Sequence, residues 1–324
     1  MIEKISRISG IGMLHDSVPK DGGLELSKAV AIYAENGRGK STFCHLLKSL
    51  ADNECTEVQA RKALRQTDEP SAELVMDGET HTLSEGSWDQ RYDRLHVFDE
   101  RFVEEAVSVG SILGVKHLER MLVLALQFAD NDSPEEVEDM LEDCRAGVNA
   151  RLRELGAAFE ISRLARNDSG DVPRADYTLR LMAEEIPLVA SEPTLPSFST
   201  VLGPGDRWML GLALFFYGID GDRDIMSKTV VLDDPAVGLD RRRKTKLAEM
   251  LMGYVQRAQL IVLSHDPEFI KMMQERGFDQ VLQLERSGIY CRFTECDIDA
   301  ILAADYTDRF IEPDNYRTGG HPTF

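Results

Sequence analysis

The sequence predicts an α/β fold built on a mainly parallel sheet. Three observations carry that prediction. Residues 29–34 (AVAIYA) and 229–232 (TVVL) are unbroken apolar runs, the mark of strands covered on both faces. In the last third of the chain such strands alternate with helical segments, as a parallel sheet wrapped by helices requires. A glycine-bearing loop also joins the strand at 29–34 to a helix, the setting in which backbone amides converge on an anion.

The elements follow in order. Residues 2–8 alternate weakly and suit an opening strand. The helix after the glycine loop spans 43–50. A hairpin is expected from 72–76 and 80–83 around Asp77-Gly78, a pair suited to a type I′ turn. Residues 94–98 (RLHVF) read as a further buried strand. From Ser133-Pro134-Glu135-Glu136, a capping box with proline at the first helical position, apolar residues recur three and four apart from Val137 to Leu155. They predict one amphipathic helix of roughly six turns. A loop at 167–173, a strand at 177–181 and an apolar helix at 206–219 come next. Strands at 229–232, 259–263 and 280–284 then alternate with helices at 241–258 and 268–276. The expected organisation is a discontinuous core (1–115 and 175–300), a short helical insert (116–174) and an irregular tail (301–324).

Composition excludes several classes. The 324 residues carry 37 Lys+Arg against 57 Asp+Glu, a net charge of −20, with 43% hydrophobic residues; this is globular composition with ample core. The acidic surplus argues against coating nucleic acid by electrostatics alone. The longest apolar stretches, Met121–Ala129 and Trp208–Ile219, fall short of the roughly 18–20 residues that span a bilayer. No secretory pattern opens the chain, and its five cysteines form no CxxC pair. A reducing cytoplasm is the expected compartment.

Ala34-x4-Gly39-Lys40-Ser41 is the P-loop pattern with alanine at its first position. Gly37 and Gly39 let backbone N–H groups from Asn36 to Thr42, Arg38 included, converge on phosphate oxygens. Lys40 can reach the β- and γ-phosphates, and the Ser41 hydroxyl can ligate Mg²⁺. Far along the chain, the strand at 229–232 delivers Asp233 and Asp234 at its carboxyl end, where such sheets place ligands. Asp233 suits the water shell of the metal and Asp234 the orientation of an attacking water. A nucleotide and Mg²⁺ are the expected ligands.

These residues resemble the ABC-type ATPase head. Asp233–Asp240 (DDPAVGLD) is similar to the Walker B motif and D-loop of that family. Ile261–Asp266 (IVLSHD) is similar to its switch-histidine loop, and Leu202–Arg207 (LGPGDR) sits where its signature motif opens a helix. AENGRGKST at 34–42, VFDERFVEE at 97–105 and the DDP form of Walker B resemble more narrowly the ATPase domain of bacterial anticodon nucleases of the PrrC and RloC kind, and related phage-defence ATPases. The resemblance implies an ABC-type P-loop fold with a mainly parallel sheet, an antiparallel β subdomain and a helical insert. It also implies an ATP-dependent homodimer in which one subunit supplies Lys40, Ser41, Asp233, Asp234 and His265 and the other supplies Gly203, Gly205 and Asp206. Asp234 and His265 would be the catalytic pair, and Asp240 would couple the two sites. Asp99 would sense the metal, with Glu100 as its rival.

The pattern departs from the family where it matters. Gly203 replaces the signature serine, Pro204 has no N–H, Gly238 stands where serine is common, and Asp234 is one methylene shorter than the usual glutamate. Slow turnover is the expectation. Anticodon nucleases append an RNA-cleaving domain after the head, and the residues after His265 do not provide one. Arg309, Glu312 and His321 fall in a Pro/Gly-rich tail. A separate effector subunit, such as a nuclease, is therefore the expected partner. Two alternatives stand beside a slow ATPase: a DNA-binding clamp of the SMC repair type, and a non-hydrolysing nucleotide-gated subunit. Basic runs at Arg241–Lys244 with Lys246, and at Arg145, Arg151, Arg153, Arg163 and Arg166, read as charged faces or as contacts to nucleic acid or a partner.

Overall fold

The computed structural model describes residues 1–107, 134–167, 174–187, 192 and 194–311. In chain order the elements are β1 (Ile2–Ser9), β2 (Leu24–Glu25), β3 (Ala29–Tyr33), α1 (Lys40–Asp52), α2 (Thr56–Ala60), β4 (Ser71–Met76), β5 (Glu79–Ser84), β6 (Ser87–Trp88), β7 (Leu95–Phe98) and α3 (Glu100–Val107). After an interval outside the described residues come α4 (Pro134–Leu155), β8 (Phe159–Asn167), β9 (Arg174–Leu181), β10 (Glu184–Pro187), α5 (Phe198–Val201) and α6 (Pro204–Asp220). The chain continues through β11 (Thr229–Asp233), α7 (Arg241–Val255), β12 (Gln259–Ser264), α8 (Pro267–Arg276), β13 (Gln280–Ser287), β14 (Tyr290–Glu295) and α9 (Ile298–Ile311).

A six-stranded sheet in the order β14-β13-β3-β12-β11-β7 organises the molecule. Its strands are parallel from β13 to β7, and β14 closes the edge antiparallel to β13. Because strand side chains alternate between faces, each apolar run feeds two cores. Ala29, Ala31, Val230, Leu232, Leu260 and Val262 face the core shared with α6, α7 and α8. Val30, Ile32, Val231, Ile261 and Leu263 face the core that holds α1 and β1. Burial on both faces explains why these strands read as continuous hydrophobic stretches rather than alternating ones.

The second sheet, β2-β1-β4-β5-β6, is antiparallel. Asp77 and Gly78 turn its β4–β5 hairpin at φ +50° and +79°, as a type I′ turn demands. The buried Gln259 side chain joins the two sheets by imitating a strand. Its Nε2 donates to Ile2 O (2.7 Å) and its Oε1 accepts from Ile2 N (2.7 Å).

Two stretches differ from expectation. Residues 116–174 were expected to be helical, and α4 does run 22 residues with Val148, Leu152 and Leu155 buried. Beyond it, β9 contains the strand expected at 177–181, while β8 and β10, which were not expected, pair with it in a separate antiparallel sheet. Asn149 of α4 ties that sheet down, donating to Ile161 O and accepting from Ile161 N, each at 2.8 Å. The tail was expected to be irregular from 301, yet α9 continues to Ile311. Asp297 begins it by accepting from Ala300 N (3.0 Å), and Ile298 is buried while Ile301 and Leu302 pack on the core. Ser133 of the capping box, the apolar stretch 121–129, residues 168–173 of the expected loop, Glu312 and His321 lie outside the described residues, as does the side chain of Arg309.

Candidate functional site

Neighbouring strands deliver the candidate chemistry to one edge of the sheet. β12 lies between β3 and β11, so the loop after β12 separates the glycine loop after β3 from the acids after β11. Backbone bonds fix this spacing: Ala34 N donates to Ser264 O (3.0 Å) and Asp234 N to Leu263 O (2.8 Å).

The glycine loop has the backbone its sequence calls for. Gly37 and Gly39 hold φ of +75° and +103°, values a side chain would strain. Gly39 is the N-cap of α1, so the positive end of that helix points into the loop. Asn36 and Gly37 are exposed, and Arg38 pairs with Glu35 (Nε to Oε2, 3.0 Å). Thr42 is buried under the segment at Gly12.

Lys40, only 6% exposed, is held within this edge. Its Nζ donates to Ala34 O (2.8 Å) and Glu35 O (3.3 Å) and lies 3.4 Å from Asp234 Oδ2. The other oxygen of Asp234 accepts from His265 N (2.8 Å) and sits 2.9 Å from His265 Nδ1. Asp234 thus ties the lysine of the glycine loop after β3 to the histidine after β12. It does so at φ +47°, a left-handed conformation uncommon for a residue other than glycine.

Asp233 sits deeper, 7% exposed, with Oδ1 buried and lacking a hydrogen-bond partner. Burial raises its pKa to about 6; the neighbouring Ser41 hydroxyl and Lys40 pull it down, while Asp234 and Asp99 push it up. An unpartnered buried carboxylate oxygen beside a hydroxyl is costly without a ligand. The pair fits a small hard cation, for which oxygen donors are preferred. Ser41 and Asp233 are the residues that would hold Mg²⁺.

Asp99 takes a different part. It is buried, accepts from Phe102 N (2.7 Å) at the start of α3, and pairs with Lys48 Nζ at 3.0 Å. It is near enough to Asp233 to disturb its titration, but its carboxylate is already engaged. Lys48, two turns beyond Lys40 on α1, was not anticipated from sequence. Its spacing of eight from Lys40 was the available signal, since both then project from one face of the helix.

Gly203, Gly205 and Asp206 lie elsewhere. Gly203 caps α6, Pro204 occupies its first turn, and Asp206 N donates to Gly203 O (3.1 Å). A Cβ placed on Gly205 would come within 2.3 Å of Gly238 O, and Gly238 itself has φ +70°. The corner therefore packs backbone to backbone on the loop that ends at Asp240. Asp240 caps α7, accepting from Arg243 N (2.9 Å). Among the described residues, no hydrogen bond or ion pair joins Gly203–Asp206 to residues 34–42.

The basic runs are partly engaged within the chain. Arg145 and Arg151 pair with Glu142 and Asp220, and Arg153 donates to Asn149 O. Arg243 pairs with Asp206 (3.2 Å) and Lys244 with Asp266. Arg241 and Arg242 are exposed.

The fold has known counterparts. The SMC head bound to the C-terminal winged-helix domain of ScpA superposes with a TM-score of 0.60 at 12% identity, over 93% of this chain and 99% of that one. The SMC head with an extended coiled coil from Pyrococcus furiosus, bound to the C-terminal domain of ScpA, gives 0.55 at 11% identity, over 95% and 99%. The sequence matches no family model and no curated protein. The likeness is one of fold: a mixed α/β architecture around a largely parallel sheet. That architecture is similar to the one seen in SMC head domains.

Proposed function

We propose that this chain is an ABC-type ATPase that binds ATP and Mg²⁺ on the 34–42 loop, closes as a head-to-tail homodimer over two nucleotides, and hydrolyses them slowly. The convergence of Lys40, Asp234 and His265 at one sheet edge, with Ser41 and Asp233 beside them, is the observation that carries the reading.

Each residue has a task set by its surroundings. Lys40, bonded to loop carbonyls, offers its ammonium to phosphate oxygens in exchange for Asp234. Asp234, released from Lys40 and held by His265, is positioned to orient and deprotonate a water. When bound, the metal supplies charge neutralisation at the phosphates. Ser41 and Asp233 orient it. Gly203, Gly205 and Asp206 of a second copy would seal the nucleotide, with Asp240 in the interface. Asp99 contributes through the local field and through Lys48.

Closeness of AENGRGKST, VFDERFVEE and the DDP motif to anticodon-nuclease ATPases supports a role in bacterial phage defence, with the closure controlling a separate effector in the cytoplasm. The proposed organisation is a discontinuous ATPase core, 1–115 and 175–300, with an insert at 116–174. Among the described residues, no helix is long and apolar enough to cross a membrane.

A second reading, a nucleotide-gated subunit that does not hydrolyse, draws on Asp234 having both oxygens occupied. Phosphate release by wild type and Asp234→Asn separates the two. A wild-type rate well above the mutant supports the ATPase; equal rates favour the gate.

A further inference from the structure

Arg243 stands in the first turn of α7, where the helix macrodipole opposes a cation. Local helix energetics do not account for it. Its guanidinium instead reaches two carboxylates from separate segments: Asp206 Oδ1 of α6 at 3.2 Å and Asp240 Oδ2 at 3.6 Å. Its own backbone N–H donates to Asp240 Oδ1 (2.9 Å). Beneath this bridge, Gly205 has no room for a side chain against Gly238 O, and Gly238, at φ +70°, would bring a Cβ to 3.0 Å from Gly205 Cα. One residue further on, Lys244 pairs with Asp266, the neighbour of His265 and the N-cap of α8. The first turn of α7 therefore holds the 203–206 corner, the 237–240 loop and the loop bearing His265. Arg241 and Arg242, in the same turn but exposed, make no ion pair among the described residues.

We infer that Arg243 is a positioning residue: it fastens the 203–206 corner to the 237–240 loop, so that both meet a second copy of this chain as one body. The inference rests on the ATP-sandwich reading above. Nucleotide binding within one chain uses residues 34–42, which Arg243 does not touch. Assembly of two copies uses the bridged corner. Removing the guanidinium leaves two carboxylates facing each other across the glycine contact and frees the corner to move independently of the loop.

The test compares wild type, Arg243→Ala, Arg243→Lys and Gly238→Ala, using calorimetric ATP·Mg²⁺ affinity, sedimentation in ATP·Mg²⁺ and thermal unfolding. Arg243→Ala is expected to bind ATP within about twofold of wild type. It should self-associate about tenfold more weakly, the size expected for losing a charged hydrogen-bonded pair. Lysine, which can hold one carboxylate but not both in fork geometry, restores part of the association. Gly238→Ala wedges the corner apart without removing charge and should weaken association in the same way. Should Arg243→Ala alter folding, Arg243→Lys carries the test, with association weaker than wild type at an unchanged melting temperature. Self-association of both alanine variants equal to wild type overturns the inference while leaving the ATPase reading intact. If wild type itself neither binds nor associates, the ATPase reading fails and this inference falls with it.

Discussion

The two halves of the candidate site are built on opposite electrostatic plans. At the 34–42 edge, Asp233 keeps a buried oxygen unpaired, while Lys40 is shared among two carbonyls and Asp234. At the 203–206 corner every charge is answered within the chain. Asp206 and Asp240 share Arg243, and the glycines close the remaining space. A region that needs a ligand carries strain and desolvation cost. A region that serves as a rigid template does not. On the proposed reading, binding and assembly would be separable, and each can be attacked by itself.

Asp234→Asn strikes the first half hardest. Loss of a positioned base costs about 10²–10⁴ in rate, and phosphate release should fall by that factor while ATP still binds. Retention of the wild-type rate would remove Asp234 from the chemistry.

Lys40→Ala should weaken ATP binding about a hundredfold, the effect of losing charge-assisted bonds to phosphate, with ATP-dependent association abolished in size-exclusion chromatography. An unchanged dimer peak would detach assembly from the loop.

Asp233→Asn sharpens the comparison through stability. The folded-state pKa of Asp233, about 6, lies above the reference 3.8. The folded protein therefore holds the proton more tightly than the unfolded chain. That contribution is complete below about pH 4 and is lost as pH rises through 6. Without nucleotide or metal, the asparagine variant should match wild type near pH 4 and exceed it by ~2–3 kcal/mol above pH 6. Urea titrations at the two pH values measure this. A variant equally stable with wild type at both would mean that burial of Asp233 carries no strain.

The smallest effect belongs to the corner. Gly205→Ala drives a Cβ against Gly238 O and should cost ~1–3 kcal/mol of stability by overpacking. A neutral substitution would show that the glycine contact is loose.

The parallel core was readable because burial on both faces leaves a local signature: AVAIYA and TVVL are unmistakable without partners. The loop at 34–42 was readable for the same reason, since Gly37 and Gly39 must supply positive φ where they stand. What stayed hidden is non-local. Nothing near Asp99 announces Lys48, and the run Arg241–Lys244 does not say which of its cations is spent on Asp206 or Asp266. The strand character of β8 and β10 was masked by charged residues on a small exposed sheet. Helix α9 was missed for a different reason. Asp297 followed by Ile298, Ile301 and Leu302 is a cap with helical spacing, and the Pro/Gly-rich sequence beyond it drew the whole tail into one irregular segment.

Calorimetric titration of ATP·Mg²⁺ into the nucleotide-free protein tests the central claim most directly. The account predicts a saturable heat that disappears with Lys40→Ala. A wild-type titration with no binding heat at several temperatures, or one that Lys40→Ala leaves unchanged, would contradict it.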